Sequence, residues 1–344
     1  MQDDRWEQGS DFHLSLESGG TPYPWTPLPH TLWGTGRDAL RALVAWGRDK
    51  HGWRRLLVPS YFCQEVIVPI QREITVGVYE HAPTSKSTAR VVARATDIVL
   101  VASMFGMPTA PIVSGAAAVV EDLSHDPTGP RASHSTAAYA FASLRKTLPL
   151  PDGGVVWSPR GLNVPPELPV TGDHASAVLD RLSAMTLKAH YLAGQPIARE
   201  EIRRLAKRGE DVIGLGDTSG ISPFSRSRLA TLPAGPWRAA RETNLAAFVE
   251  ALGELAGLTL LEAPYAATLV FDKPTDRDRM RAALIAARIY PAVLWSLDDP
   301  AVDGIPEADV DLSRRILSIH CDYRYAPSDM VRVADVIRGV ARAL

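Results

Sequence analysis

The sequence contains little cysteine and no excess of either charge. Cys63 and Cys321 are its two cysteines, too few for a disulfide framework in 344 residues, and their neighbours lack metal-ligand spacing, so no bound metal is expected. Lys and Arg number 37 against 39 Asp and Glu, which argues against a nucleic-acid or anionic-membrane partner. These absences favour a cytoplasmic protein that acts on small molecules.

Long apolar runs and nucleotide-binding motifs are also absent. No run approaches the roughly 18 apolar residues that cross a bilayer. The N-terminus, Met1-Gln2-Asp3-Asp4, is acidic where a signal peptide would be basic. Neither Gly-x-Gly-x-x-Gly nor Gly-x-x-x-x-Gly-Lys-Ser/Thr follows an apolar run, which argues against an α/β enzyme that uses a nucleotide. The sequence therefore predicts neither membrane insertion nor secretion.

Short apolar runs alternate with helical patterns through the first half of the chain. The segment Gly36 to Trp46 has apolar residues at helical spacing and leads into a short buried strand, Leu56 to Val58. Such alternation is typical of an α/β domain with a mostly parallel central sheet. Further strands are predicted over residues 74–78, 97–102, 116–120, 137–142 and 155–157.

The second half of the chain has a different pattern. Helices are predicted over 175–209 and 237–255, with a Gly/Ser/Pro interruption at 214–227. Strands and helices then form a compact α+β unit, with strands over 258–261, 267–271 and 316–320 and helices over 275–287 and 327–344.

The length predicts two domains, because one hydrophobic core rarely grows much beyond roughly 250 to 300 residues. Prolines between residues 22 and 29 break regular structure, so residues 1–30 are predicted to form an arm laid over the body or over a partner subunit. We predict a large domain over 31–240 and a smaller C-terminal α+β domain over 241–344. The boundary falls within the helix predicted at 237–255.

Two apolar strands deliver polar side chains at their ends. Residues 116–120 lead into Glu121, Asp122 and His125, and residues 137–142 lead into Ser143 and Lys146. Glu121 and Asp122 point to opposite faces of an extended strand, so only one of them can face a site. One amine and one carboxylate at strand exits suggest a pyridoxal-phosphate site, where a lysine binds the aldehyde as a Schiff base and a carboxylate keeps the pyridine nitrogen protonated. The alternatives are that Lys146 is an ordinary solvated lysine and that Asp122 is a helix N-cap.

Four motifs, in this order, carry a family resemblance. They are Thr35-Gly36-Arg37-Asp38-Ala39-Leu40, similar to Ser-Gly-Thr-x-Ala-Leu; Val58-Pro59-Ser60-Tyr61-Phe62, similar to Val-Pro-Ser-aromatic; Phe105-Gly106-Met107-Pro108, similar to aromatic-Gly-x-Pro; and Glu121-Asp122-Leu123-Ser124-His125, similar to Glu-Asp-x-x-His/Gln. With these motifs the chain resembles the fold type I pyridoxal-phosphate enzymes, and within them the DegT/DnrJ/EryC1/StrS aminotransferase group, over roughly Thr35 to Gly154 and more loosely to the C-terminus. The resemblance implies a homodimer with a shared active site.

The resemblance implies a role for each residue of the pair. Lys146 would be the Schiff-base lysine, and its amine, once an amino substrate displaces it, would carry the proton between the substrate carbon and the cofactor. Asp122 would be the partner of the pyridinium nitrogen. His125 matches the His/Gln position near the cofactor's phenolic oxygen. An aromatic stack on the ring is expected from Tyr61 or Phe62, whose alternative is simple core packing.

The cofactor phosphate is expected at the start of the helix that begins at Gly36. A helix start supplies backbone N–H groups and a positive field, and Thr35, Gly36 and Arg37 provide it here. Ser143 adds a hydroxyl. Arg37 departs from the family's small hydroxyl residue at this position, so its backbone would serve the phosphate while its side chain does something else. The alternative is an N-cap followed by a flexible turn.

Substrate contacts are predicted at Arg226, His320 and Arg324. The segment 222–226 lies where the family carries an Asn-x-Arg loop that reaches the partner subunit's cofactor; the asparagine is missing here, and Ser225 and Arg226 are its candidate replacements. Arg324 follows a buried strand and has the geometry to clamp a carboxylate, or it pairs with a neighbouring aspartate. The segment 290–295 either lines the site or packs in the core.

The predicted function is transfer of an amino group between an amino acid and a keto compound, in small-molecule or amino-sugar biosynthesis. The same Lys/Asp pair also supports a lyase, a dehydratase or a racemase, because the cofactor stabilises any carbanion at the substrate carbon. A third reading is a binding protein that keeps the fold and performs no turnover. Full retention of Lys146, Asp122 and Ser143 argues against that reading.

Overall fold

The computed structural model describes residues 5–9, 11–20, 22–108 and 111–342. Its helices are α1 (Gly36–His51), α2 (Gln64–Ile70), α3 (Pro130–His134), α4 (Gly172–Leu192), α5 (Arg199–Glu210), α6 (Pro223–Leu229), α7 (Ala234–Leu252), α8 (Pro274–Ala286), α9 (Glu307–Arg315) and α10 (Pro327–Ala341). Its strands are β1 (His30–Trp33), β2 (Arg55–Pro59), β3 (Thr75–Tyr79), β4 (Arg90–Val92), β5 (Asp97–Ala102), β6 (Ile112–Ser114), β7 (Ala118–Asp122), β8 (Tyr139–Ser143), β9 (Gly154–Trp157), β10 (Leu258–Leu261), β11 (Ala266–Phe271) and β12 (Ile316–His320).

The largest sheet has seven strands in the order β1-β9-β8-β7-β5-β2-β3. Strands β3, β2, β5, β7 and β8 run parallel, and β9 and β1 are antiparallel at one edge. β5 is buried along its whole length, as expected for a parallel strand covered on both faces. The prediction of a mostly parallel sheet is confirmed.

A smaller antiparallel sheet, β10-β11-β12, follows in the C-terminal part. Apolar side chains of α7, α8 and α10 form one core cluster with β11 and β12, including Phe248, Leu284 and Ile337. α7 runs unbroken from Ala234 to Leu252. The domain boundary within this helix stays a prediction. The last two residues of the helix predicted over 327–344 lie outside the described residues.

The N-terminal segment crosses the surface of the body. Its described residues before β1 contain no helix and no strand, apart from a single β-bridge between Gln8 and Ile289. The N–H of Leu14 donates to the carbonyl of Met185 on α4. The segment therefore lies over the same chain in this structure; residues 1–4, 10 and 21 of the predicted arm are outside the described range.

One predicted interruption is partly wrong. The Gly/Ser/Pro segment 214–227 contains the start of α6, whose N-cap is Ser222 and whose first residue is Pro223. The Ser222 hydroxyl accepts from the N–H of Ser225 at 3.2 Å. A hydroxyl N-cap followed by proline is a helix start, and the surrounding glycines and serines obscured it.

Of the helices that the structure describes, none combines enough length with enough apolar character to cross a membrane. Across the same described ranges, no group of three or more His, Cys, Asp or Glu side chains is arranged to hold a metal ion.

Replacing Gly36 by alanine is expected to destabilise the protein by about 1–3 kcal/mol, the usual cost of overpacking. A Cβ at Gly36 would lie 2.8 Å from Cβ and 3.0 Å from Cα of Ser143, so the start of α1 would have to move away from β8. The free energy of unfolding from urea denaturation measures the effect.

Gly172→Ala is the matched control. Gly172 also opens a helix directly after a threonine N-cap, and a Cβ there meets nothing within 4 Å. We expect this variant to be neutral or slightly stabilising. Equal effects of the two substitutions would contradict the close contact between Gly36 and Ser143.

Candidate active site

The ends of two parallel strands bring the predicted pair together. β7 ends at Asp122 and β8 ends at Ser143, and the two strands are neighbours in the sheet. Lys146 lies on the short 3-10 turn that follows β8. Glu121 is buried on the other face of β7, where Arg131 pairs with it. Because successive side chains of β7 point to opposite faces, Asp122 faces the site and Glu121 forms a structural ion pair on the other side.

A cavity of about 590 Å³ opens at this edge of the sheet. Asp122 and Lys146 both line it, so the carboxylate and the amine face the same cavity. Residues 63–66, at the start of α2, and residues 293–296 form the other walls. The predicted site residues on the cavity surface are Thr35, Gly36, Arg37, Asp122, Ser143 and Lys146.

The start of α1 points into this cavity. Thr35 is the N-cap, and its hydroxyl accepts from the N–H of Asp38 at 3.0 Å and donates to the Asp38 carboxylate at 2.8 Å. The Thr35 side chain is therefore engaged within the helix. Gly36 and Arg37 are the first helical residues, and a helix start has no intrahelical acceptors for its first N–H groups. The close packing of Gly36 on Ser143 brings this positive end of the helix beside the exit of β8.

His125 contacts Lys146 directly. The ring atom Nε2 of His125 lies 3.3 Å from Nζ of Lys146, and Nδ1 accepts from the N–H of Phe105 at 2.9 Å. Because Nδ1 accepts, the neutral ring carries its proton on Nε2, and this N–H can donate to the lysine nitrogen when the amine is uncharged. Burial, followed by the charge of Lys146, holds the pKa of His125 well below its ordinary value. A neutral imidazole, fixed by the Phe105 N–H, thus lies beside the lysine nitrogen and can orient it as a free amine.

Two aromatic residues, Phe141 and Trp295, line the cavity, and Trp295 is the one beside Lys146. Its ring is nearly parallel to that of His125, with centroids 5.6 Å apart, and Nζ of Lys146 lies 5.3 Å from its centre. Tyr61 and Phe62, which the sequence favoured for this role, are completely buried behind it and do not line the cavity. The Tyr61 hydroxyl donates to the carbonyl of Leu294. Of the two readings of segment 290–295, the structure supports lining at residues 293–295.

Arg226 and Ser225 lie away from this cavity. Arg226, on α6, pairs with Glu167 at 2.6 Å and lies on another part of the surface. Ser225 is fully buried, and its hydroxyl donates to the Asp152 carboxylate. Within the chain, neither residue meets Lys146. Their predicted role across a subunit interface stays a prediction.

His320 and Arg324 line a smaller cavity of about 170 Å³ that also reaches Lys146. The fork of Arg324 is engaged with Asp322, with nitrogen–oxygen distances of 2.7 and 2.8 Å. Burial opposes ionisation of Asp322, yet Arg324 holds its pKa down to about 2. The alternative pairing with Asp322 is therefore realised, and the arginine lies close to the site with its bidentate face already occupied.

A charged cluster beside Lys146 contains three residues that were not predicted from the sequence, Arg145, Arg181 and Glu210. Arg145 pairs with Glu210 at 2.5 Å, Arg181 pairs with the same carboxylate, and Arg37 lies 3.9 Å from it. The position of Arg145 next to Lys146 was a usable signal. Glu210 ends α5 and Arg181 lies in α4, and nothing local in either helix indicates that they meet at the site.

No protein-family model and no curated protein matches the chain. Solved structures do share its fold. PseC of Helicobacter pylori, an aminotransferase involved in the biosynthesis of pseudoaminic acid, is 10% identical with a TM-score of 0.58, over 98% of this chain and 100% of its own. A DegT DnrJ EryC1 StrS aminotransferase from Brucella abortus is 13% identical with a TM-score of 0.51, over 91% and 86%. Spr1654 from Streptococcus pneumoniae, in its PLP form, is 9% identical with a TM-score of 0.57, over 96% and 93%. At these identities the likeness shows the fold alone, and it confirms the predicted fold class.

Lowering the pH from 7 to 5 is expected to destabilise the protein through His125 and His320. Burial lowers the pKa of His320 to about 4 and holds that of His125 well below its ordinary value. Both titrate near 6.5, roughly, in an unfolded chain, so below that pH the unfolded state binds more protons. The free energy of unfolding therefore decreases as the pH is lowered, by at most about 1.4 kcal/mol per pH unit for each histidine. Urea denaturation across this range measures it.

His320→Asn should reduce this slope because one buried imidazole with a lowered pKa is removed. His190→Asn, at an exposed position of α4, is the control and should leave the slope unchanged. A free energy of unfolding that is equal at pH 7 and pH 5 in the wild type would contradict the neutral buried state of both rings.

Proposed function

We propose that the protein is a pyridoxal-phosphate-dependent aminotransferase that moves an amino group between an amino acid and a keto compound. One observation carries the proposal: Lys146 and Asp122, at the ends of neighbouring parallel strands, line the same cavity as the N-terminus of α1. An amine, a carboxylate and a positive helix end are the three groups that an aldehyde, a pyridine nitrogen and a phosphate require.

The residues present fit the cofactor. Lys146 would bind its aldehyde carbon, Asp122 its ring nitrogen, and the N–H groups at the start of α1 with the Ser143 hydroxyl its phosphate. Bound pyridoxal phosphate supplies an electron sink that stabilises negative charge on the substrate carbon. Gly36 is required at the phosphate end because a Cβ there would meet Ser143 at 2.8 Å. Asp122 already accepts from the N–H of Ser124 at 2.9 Å, which fixes its carboxylate at the strand end.

Lys146 is also the proposed proton carrier. As a free amine, Lys146 would take the proton from the substrate carbon that carries the amino group and hold it for return. His125, 3.3 Å away, orients the amine. Trp295 covers the same nitrogen with its ring and limits the access of water from that side.

The setting proposed is small-molecule or amino-sugar biosynthesis. PseC and the Brucella aminotransferase, which share the fold, support amino transfer, and the PLP form of Spr1654 supports the cofactor. A cytoplasmic location and a homodimer whose subunits share the site, as the sequence resemblance implies, belong to the same proposal.

Stoichiometry separates amino transfer from the other reactions of this cofactor. With an amino donor and no acceptor, an aminotransferase releases one equivalent of keto acid per site and then stops. A lyase, dehydratase or racemase continues to turn over. Continued product formation without an acceptor would assign the protein to one of those reactions.

Lys146→Ala is expected to abolish covalent capture of the cofactor. Wild-type protein incubated with pyridoxal phosphate and reduced with borohydride should carry the added mass on the peptide that contains Lys146, as measured by mass spectrometry. Lys207→Ala, at an exposed lysine of α5, is the control and should retain it. An unmodified Lys146 peptide in the wild type, or capture that persists in Lys146→Ala, would be incompatible with the proposal.

Asp122→Asn is expected to keep the covalent capture and to lower kcat on the order of 10²-fold or more, because a neutral amide no longer stabilises charge on the ring. Capture by borohydride reduction and steady-state kinetics on the same preparation measure the two effects. A variant with full activity would exclude the assigned role of Asp122.

A further inference from the structure

The smaller cavity of about 170 Å³ reaches Lys146 from the side of the N-terminal segment. It shares Arg145 and Lys146 with the large cavity. It shares Arg181 with a third cavity of about 350 Å³ between α4, α5 and the N-terminal segment. The three spaces therefore follow one another from the proposed cofactor site outward, and Arg145 and Arg181 stand at the two junctions.

The N-terminal segment forms a wall of the smaller cavity through Gly9, Asp11 and Phe12. Backbone hydrogen bonds hold it there. The N–H of Gln8 donates to the carbonyl of Arg288 at 3.0 Å, and the carbonyl of Gln8 accepts from the N–H of Tyr290 at 2.8 Å. A segment anchored in this way gives the cavity a defined shape beside the reacting amine.

Cations outnumber carboxylates around this cavity. Its lining contains Arg145, Lys146, Arg181 and Arg324, with Asp11 as the one carboxylate among the described lining residues. Arg145 and Arg181 both pair with Glu210, so two guanidinium groups share this neighbouring carboxylate, whose side chain is 45% exposed. Nε of Arg145 is buried and has no hydrogen-bond partner among the described residues. Burial, together with the charge of Arg145, lowers the pKa of Arg181 to about 10, so the side chain is still charged at neutral pH. The fork of Arg324 is already held by Asp322.

We propose that this cavity is the substrate subsite and that Arg145 and Arg181 bind a second anionic group of the substrate, a carboxylate or a phosphate, with Glu210 as the internal counter-ion. The inference rests on the proposed function and adds a substrate class to it: an amino or keto compound with an acidic group remote from the reacting carbon. Two guanidinium groups side by side provide the paired N–H donors that both oxyanions accept.

Substitution of Glu210 and substitution of the two arginines should change anion affinity in opposite directions. Its carboxylate competes with the substrate anion for the same two arginines, so Glu210→Gln should raise the affinity for an anion. Arg181→Gln and Arg145→Gln should lower that affinity, about tenfold or more, as expected for the loss of a charge-assisted hydrogen bond. Arg181→Lys keeps the charge without the fork and should fall between. A purely structural role for the cluster predicts that each substitution weakens binding or leaves it unchanged.

Calorimetric titration of the protein pre-incubated with pyridoxal phosphate tests this directly. The probes are 2-oxoglutarate and glucose 1-phosphate. Their matched compounds are 2-oxopentanoate, which lacks the remote carboxylate, and glucose, which lacks the phosphate. Tighter binding of either anionic probe than of its match, by about tenfold, supports the subsite, and the tighter of the two identifies carboxylate or phosphate as the source. The control variants are Glu201→Gln and Arg204→Gln, which remove an exposed ion pair of α5, the helix that ends at Glu210. They should leave the affinity for every probe unchanged.

Equal binding of anionic and matched probes would overturn the inference, as would a Glu210→Gln variant that binds the anion more weakly. Borohydride reduction of the same samples reports cofactor capture separately. Capture without anion selectivity leaves the proposed function intact and removes the subsite; absence of capture removes the proposed function itself.

Discussion

The site depends on close backbone contact between the start of α1, the end of β8 and the start of β9. Glycines at the contact leave no side chain between these segments. Gly36 lies against Ser143, and a Cβ on Gly154 would come within 2.1 Å of the carbonyl oxygen of Thr35. The N–H of Gly153 donates to the carbonyl of Gly34, and the N–H of Leu144 donates to the carbonyl of Gly153. The start of α1, the exit of β8 and the start of β9 are therefore held as one unit. The helix end and Lys146 face one cavity because these segments touch.

A buried carboxylate secures this unit from behind. Asp152, in the turn after Lys146, accepts from the N–H and the hydroxyl of Ser222, each at 2.7 Å, and contacts Nε2 of His174 at 3.0 Å. These partners come from α4 and the N-cap of α6, so one fully buried side chain joins two helices to the lysine turn. Ser225, expected at a subunit interface, contributes its hydroxyl to the same carboxylate. Satisfied polar networks of this kind fix a single arrangement.

The buried parallel strands were predictable because each is a continuous apolar run with a polar exit. β5 matches the predicted range, and β7 and β8 deliver Asp122, Ser143 and Lys146 where the carboxyl ends of parallel strands share an edge. The direction of β9 was not predictable, since a short run such as Gly154–Trp157 reads the same in either sense. β1 was missed because the prolines before His30 obscured it.

The residues that surround Lys146 were harder to predict. Arg181, Glu210 and Trp295 come from segments far apart along the chain, and no local period or spacing links them. Tyr61 and Phe62 follow a strand as a stacking pair would, yet α2 and the segment at 294–295 cover them, so they pack inside while Trp295 takes the surface. Motif order located the chemistry, whereas tertiary contacts decided its neighbours.

A crystal structure of the protein grown with pyridoxal phosphate would show whether Lys146, Asp122 and the start of α1 bind one cofactor molecule. We expect continuous electron density from Nζ of Lys146 to the cofactor, the Asp122 carboxylate within about 3.2 Å of the ring nitrogen, and the phosphate at the N–H groups of Gly36 and Arg37. Density bound elsewhere, or a ring nitrogen beyond the reach of Asp122, would contradict this assignment.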